Sequence, residues 1–236
     1  MLTKWGKTLD RTNILPEYPR PQFRRNNCEI LNGSWEYAIT GVTQQTPPDR
    51  LDGTILVPFS PESELSGVGR TLKPSECLWY RKTIETPEGY DANTEDLILH
   101  FGAVDQFAEI RLNGITLAHH AGGYLPFSVV LSDALVAGVP NELVVRVRDE
   151  TDASCWSRGK QSSKPSGIWY TPQSGIWQTV WLERAPKRRI ETVVIKPLFD
   201  QSAVQLTVWT NCGGGGVVKL LESETVFISG TPLVLP

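Results

Sequence analysis

Gly167-Ile168-Trp169-Tyr170-Thr171-Pro172-Gln173-Ser174-Gly175-Ile176-Trp177-Gln178-Thr179-Val180-Trp181-Leu182-Glu183 is the stretch on which the reading of this chain turns. Its end alternates as a strand does, with Val180 and Leu182 on one face and Trp181 and Glu183 on the other. What comes before reads as a long loop. Four tryptophans fall between Trp156 and Trp181, set among Gly, Pro and Ser. Aromatic rings beside polar groups suit sugars, whose C–H faces pack on rings while their hydroxyls take hydrogen bonds.

Working outward, the period is two nearly everywhere. Leu97, Leu99 and Phe101 alternate with Ile98 and His100. Ala108, Ile110 and Leu112 alternate with Glu109, Arg111 and Asn113, and Leu143, Val145 and Val147 with Val144, Arg146 and Arg148. Asn113-Gly114 is a hairpin turn, because both residues tolerate positive φ. Helical signals are scarce; one short turn is expected at 132–139, with Ser132 as its cap. Seventeen prolines and twenty glycines punctuate the rest. The economical solution is all-β, two antiparallel sheets packed face to face.

Composition narrows the function classes. The 236 residues suit one large or two modest domains, and 40% hydrophobic content is enough for a core. Lys and Arg number 23 against 26 Asp and Glu, so there is no basic stripe and nucleic acid is not an expected partner. No apolar run approaches the roughly 20 residues that cross a bilayer, so no membrane partner is expected. The start, MLTKWGKTLDRTN, lacks the apolar core of a signal peptide, which favours the cytoplasm. Cys28, Cys77, Cys155 and Cys212 form no CxxC pair and read as free thiols, with no metal site and no cofactor expected.

The same stretch resembles glycoside hydrolase family 2, the β-galactosidases, β-glucuronidases and β-mannosidases, at their N-terminal sugar-binding domain. Ser174-Gly175-Ile176-Trp177 running into Val180-Trp181-Leu182 is similar to the signature that closes that domain. Leu31-Asn32-Gly33-Ser34-Trp35 resembles its opening, and Val57-Pro58 with Trp79-Tyr80-Arg81 its central pair. Phe101-Gly102-Ala103-Val104-Asp105, Leu112-Asn113-Gly114 and Gly122-Gly123-Tyr124-Leu125-Pro126-Phe127 follow in the family's order. The resemblance implies a jelly-roll, galactose-binding-domain-like sandwich over 28–186; residues 1–27, which contain Pro and Arg and have no period, read as an extended surface lead-in. Residues 187–236 would then begin a second, immunoglobulin-like sandwich. Such a sandwich takes about 100 residues, so this one is incomplete or shortened.

The family's two catalytic glutamates, roughly 5–5.5 Å apart in retaining enzymes, lie in a (β/α)₈ barrel. A barrel needs about 250 residues of alternating strand and helix, and no such pattern is present here. The resemblance therefore implies a non-catalytic domain, with no catalytic residue of its own. It would buttress and rim the active site of a glycosidase that hydrolyses O-glycosyl bonds, with the barrel of the same enzyme as its partner. The alternatives are a free-standing carbohydrate-binding module and a β-sandwich interaction protein, the latter a homo-oligomer through exposed strand edges.

The rim candidates are Trp169, Tyr170, Trp156, Arg158 and Gln161, which would meet a β-glycoside through the Trp-rich loop. In the family, an Asp a few residues before the signature touches substrate hydroxyls. An ungapped count back from Ser174 places that position at Trp169, which cannot accept a hydrogen bond from a hydroxyl as a carboxylate does. Trp169 and Tyr170 are equally open to a packing role, and the loop of Trp156, Arg158 and Gln161 to a solvated one or to a surface for the barrel. Trp177 and Trp181 read as packing. Glu62 and Glu64 read as a solvated loop, and Asp149 and Asp152 as turn residues. His119 and His120 lack the partners of a triad or a metal site. The Gly213–Gly216 run is a flexible turn with no phosphate-loop ending.

Overall fold

The computed structural model describes residues 2–20 and 22–236; Met1 and Pro21, both in the expected lead-in, lie outside the described residues. Twelve strands build the first and larger unit: β1 (Cys28–Ile30), β2 (Gly33–Gly41), β3 (Gly53–Val57), β4 (Glu76–Ile84), β5 (Glu95–Phe101), β6 (Val104–Asp105), β7 (Phe107–Leu112), β8 (Ile115–Ala121), β9 (Phe127–Val130), β10 (Asn141–Arg148), β11 (Gly175–Ile176) and β12 (Val180–Pro186). They form a six-stranded sheet in the order β3-β2-β4-β10-β7-β8 and a four-stranded sheet in the order β1-β12-β5-β9, with β11 and β6 pairing separately. Every strand pair is antiparallel.

The period-two pattern sets the inner faces. Leu97, Leu99 and Phe101 of β5, Val180 and Leu182 of β12, Ile110 and Leu112 of β7, and Leu143, Val145 and Val147 of β10 join one buried cluster. Trp35 and Tyr80 meet edge to face at 6.3 Å inside it, and the Trp35 indole N–H donates to the Leu31 carbonyl at 2.8 Å. The fully buried Leu, Val and Phe side chains of this cluster contribute about 1.5–3 kcal/mol each. Asn113 and Gly114 turn β7 into β8 with φ of 51° and 80°. The turn is tied down because Asn113 Nδ2 donates to Asn141 Oδ1 at 2.7 Å and its Oδ1 accepts from the Glu142 N–H at 3.0 Å.

Two expectations need correction. Residues 132–134 and 137–138 form turns, but Ser132 caps no helix. The Ser132 hydroxyl oxygen instead accepts from the Leu97 N–H at 3.0 Å and lies 2.8 Å from the Tyr90 hydroxyl, so it ends a strand. The lead-in is more than a surface tail. After a single helical turn, α1 (Lys4–Lys7), it buries Ile14 and crosses the outer face of β12. There Glu183, fully buried, takes Arg20 at 2.6 Å, Arg25 at 2.5 Å and His100 at 3.1 Å, with the Tyr18 hydroxyl also on Oε1. Trp181 stacks on His100 at 4.7 Å. The outward half of the strand is thus buried by the chain's own beginning. Arg25 also donates to the Ile190 carbonyl, at the start of the next unit.

That unit holds β13 (Ile190–Leu198), β14 (Ala203–Thr210), β15 (Gly215–Leu220), β16 (Ser223–Ile228) and β17 (Leu233–Leu235). They pair as a three-stranded sheet β13-β14-β17 and a hairpin β15-β16. Its buried apolar residues are Val208, Phe227 and Leu235, whereas Val217, Val226 and Ile228 are exposed. The glycine run is only half a turn. Gly213 and Gly214 have positive φ, but Gly215 and Gly216 are paired strand residues, and a Cβ on Gly215 would come within 2.1 Å of the Phe227 carbonyl oxygen.

Candidate functional site

Between β10 and β11 the chain makes its long excursion, residues 149–174, and local hydrogen bonds give it shape. Asp149 Oδ1 accepts from the Thr151 N–H at 2.7 Å. Asp152 Oδ2 accepts from the Ser163 N–H at 3.0 Å and the Ser162 hydroxyl at 2.9 Å. Gln161 and Tyr170 form a parallel bridge, with Tyr170 N–H on the Lys160 carbonyl at 2.7 Å and Ser162 N–H on the Tyr170 carbonyl at 3.1 Å. Asp149 and Asp152 are the turn residues the sequence suggests, and they also hold the loop.

The loop folds over β6 and β11, where Gly175 pairs with Asp105 and Ile176 with Val104. The result is a cleft of about 280 Å³ lined by Asp105, Tyr124, Arg158, Gln161, Tyr170 and Trp177, among others. Gln161 is its hub. Its Oε1 accepts from the Gln173 N–H at 2.5 Å and its Nε2 donates to Asp105 Oδ2 at 3.4 Å. Trp177 lies on the other wall, with its indole N–H on the Gly123 carbonyl at 2.8 Å and its ring 6.4 Å from that of Tyr124. Asp105 presses so closely on Gly123 that a Cβ there would stand 2.3 Å from Oδ1; only glycine fits.

Asp105 is 4% exposed, and its carboxyl is pushed up to about 7, first by burial and then by the charge of Asp149. Behind it lies a polar knot. The Ser174 hydroxyl is 2.7 Å from Asp149 Oδ2 and 3.1 Å from Glu62 Oε1, and the Ser174 N–H donates to Glu62 Oε2 at 3.0 Å. One hydroxyl carries one proton, so the second of these contacts needs a proton on a carboxyl. Burial raises both Glu62 and Asp149, which favours keeping that proton. Glu62 is therefore not a solvated loop residue. It also accepts from the Leu72 N–H at 3.0 Å.

The structure brings together three of the five predicted residues and sets the other two apart. Arg158, Gln161 and Tyr170 line the cleft. Trp169 lies outside it, 41% exposed, with the Arg158 guanidinium 6.0 Å from its ring. Trp156 stands on the outer face of the large sheet, edge-on to Phe107 at 5.2 Å. Trp181 packs as expected, while Trp177 is half-buried and belongs to the cleft. Asp105 and Tyr124 were visible only as parts of motifs. The signal that singles Asp105 out is its ladder to Gly175, 70 residues further on, which no local pattern carries.

Arg158, which lines this cleft, has its Nε buried with no hydrogen-bond partner among the described residues. With Asp105 poised between donor and acceptor, the arrangement can meet hydroxyl groups, and the rings of Tyr170 and Trp177 can meet C–H faces. Among the described residues, no group of three or more His, Cys, Asp or Glu is placed to hold a metal ion. The four cysteines are unpaired, and among the described residues no helix is long and apolar enough to cross a membrane.

Comparison with known proteins gives one family. The profile described as "Glycosyl hydrolase 2 galactose-binding domain-like" matches residues 70–178. A β-galactosidase of Bacteroides ovatus is 28% identical over 165 residues, 70% of this chain and 16% of that protein. The β-glucuronidase of Homo sapiens is 31% identical over 180 residues, 65% of this chain and 27% of that protein. Among solved structures, a β-glucuronidase of Faecalibacterium prausnitzii superposes with a TM-score of 0.63 at 21% identity, over 93% of this chain and 42% of that one. That likeness is one of fold. The matched part of the chain spans between 16% and 27% of the length of these two curated relatives.

Proposed function

Because residues 70–178 belong to the galactose-binding-like domain of glycoside hydrolase family 2, we propose that this chain is the non-catalytic sugar-binding part of a glycosidase that hydrolyses O-glycosyl bonds. In this reading the sandwich over 28–186 buttresses the catalytic (β/α)₈ barrel, and residues 187–236 begin an immunoglobulin-like sandwich between the two. The cleft beside Asp105 forms the outer rim of the sugar pocket. The observation that carries this is the convergence of Asp105, from β6, with Arg158, Gln161 and Tyr170, from the 149–174 loop, onto one concavity that also holds the unpaired Arg158 Nε.

Each residue has a distinct part. Asp105 and Gln161 meet sugar hydroxyls, Tyr170 and Trp177 pack on the ring, and Arg158 adds a donor. Asp105 thus supplies the carboxylate chemistry that Trp169 cannot. Nothing in the cleft supplies the acid and nucleophile pair of glycoside hydrolysis, so the chain alone leaves glycosides intact.

Calorimetry with neutral β-galactosides, beside turnover of the nitrophenyl glycosides, tests both halves. Heat of binding that Tyr170→Ala and Asp105→Ala abolish, with no turnover, is the expected result. Turnover by the pure chain overturns the non-catalytic role. Heat that both variants leave unchanged overturns the cleft.

A further inference from the structure

The outer face of the six-stranded sheet carries a concavity that the proposed function does not use. Two cross-strand rows floor it, Arg148–Phe107–Ala121 and Arg146–Glu109–His119, each running from β10 through β7 to β8. The first row ends in a methyl group, so the floor drops there and leaves a groove of about 430 Å³. The segment after β2 forms one wall. It is held because Arg146 donates to the Val42 carbonyl at 2.9 Å and Arg111 to the Gln45 carbonyl at 2.8 Å. Beside the floor stands Trp156, 44% exposed and edge-on to Phe107.

The charge in this groove does not balance. Glu109 faces Arg146 across the ladder, but its carboxylate is taken by Arg111 on its own strand. Arg146 is left with no carboxylate in ion-pair reach among the described residues, its guanidinium 5.5 Å from the Trp79 ring. Arg148 has Glu150 at 3.5 Å. Three guanidiniums thus face two carboxylates. Beside this excess cation lie an exposed indole, a carboxylate and the open imidazole of His119, which can each engage a hydroxylated ring.

We propose that this face is a second sugar site, selective for an acidic sugar whose carboxylate meets Arg146 and Arg148 and whose ring packs against Trp156. The carboxylate supplies the missing negative charge, and its hydroxyls pair with Glu109 and His119. The site is separate from the cleft beside Asp105, since the two share no lining residue.

The test is a titration of the whole chain at low salt with a galacturonate trisaccharide, read by calorimetry and by the indole N–H signal of Trp156. Cellotriose and sodium acetate are the comparison ligands. The trisaccharide is expected to bind and to shift that signal, and cellotriose and acetate to bind at least about tenfold more weakly. Arg148→Gln is expected to lower affinity about tenfold, the loss of one charge-assisted hydrogen bond. Arg146→Lys, which keeps the charge but not the planar fork, lowers it as well. Tyr170→Ala, which strips the cleft, leaves the groove's affinity as it was. Absence of binding, equal binding of cellotriose or acetate, or a loss caused by Tyr170→Ala and not by Arg148→Gln overturns the proposal. The last of these would at the same time support the cleft.

Discussion

Asp105 carries its chemistry in where it sits. A carboxyl held at about 7 keeps a proton that the unfolded chain, with an ordinary Asp at about 3.9, has already released. The stabilisation from that proton is complete below about pH 4 and is lost as pH rises through about 7. Urea midpoints are therefore expected to fall across this window, and Asp105→Asn, which mimics the neutral form, to flatten part of the fall. The residual slope comes from Glu62 and Asp149, both raised by burial. Glu183 runs the other way. Hydrogen bonds from His100, Arg20 and Tyr18 outweigh its burial and hold it well below the usual carboxylate range. Its contribution is present above about pH 4 and lost as the pH falls further. Glu183→Gln is expected to cost about 3 kcal/mol by denaturant unfolding at neutral pH, at the low end for a broken buried pair because both arginines stay partly exposed. Sequence pattern put Glu183 on the outer face of its strand, and that is where it lies. It could not show that Tyr18, Arg20 and Arg25 fold back over it, because a contact spanning about 160 residues leaves no periodic trace.

At the level of elements, alternation was enough to find β5, β7, β10 and β12, because each has one face in the core. It was not enough for β6 and β11, two residues each, which have no period to read yet position the cleft. The fit there is tight. A Cβ at Gly175, whose φ is 76°, would stand 2.1 Å from the Tyr80 hydroxyl, and that hydroxyl accepts from the Ile176 N–H at 3.1 Å. Tyr80→Phe strands that buried N–H and is expected to cost about 1–3 kcal/mol, seen as a lower urea midpoint and a weaker glycoside heat. The 149–174 loop depends on fewer contacts. Asp152→Ala removes the acceptor shared by Ser162 and Ser163, and faster amide exchange at 160–170 with an unchanged sandwich is the expected outcome. The sequence reading placed all five aromatic and polar candidates on one rim. The bridge between Gln161 and Tyr170 separates them, since it aims Arg158, Gln161 and Tyr170 into the cleft while Trp156 docks on Phe107.

Across the whole molecule, stability is expected to be uneven. The six-stranded sheet with its large buried cluster should exchange its amides slowest, and the β15-β16 hairpin, with Val217, Val226 and Ile228 open to solvent, fastest. Mass-resolved hydrogen exchange reads that order directly; equal protection in both would contradict it. The order of the motifs along the chain made the sandwich legible as a whole. The lead-in's wrap was hidden for the reason given for Glu183. One consequence concerns synthesis. The first strand of the sandwich, β1, has a single neighbour in its sheet, and that neighbour is the last strand, β12. A chain leaving the ribosome makes Cys28 long before Glu183. Until Glu183 emerges, β1 and the arginines before it have nothing to close upon. The six-stranded layer has all its strands once Arg148 is out, whereas the four-stranded layer closes only with β12, and a nascent chain halted before that strand presents an unpaired edge of β5 to its neighbours on the polysome.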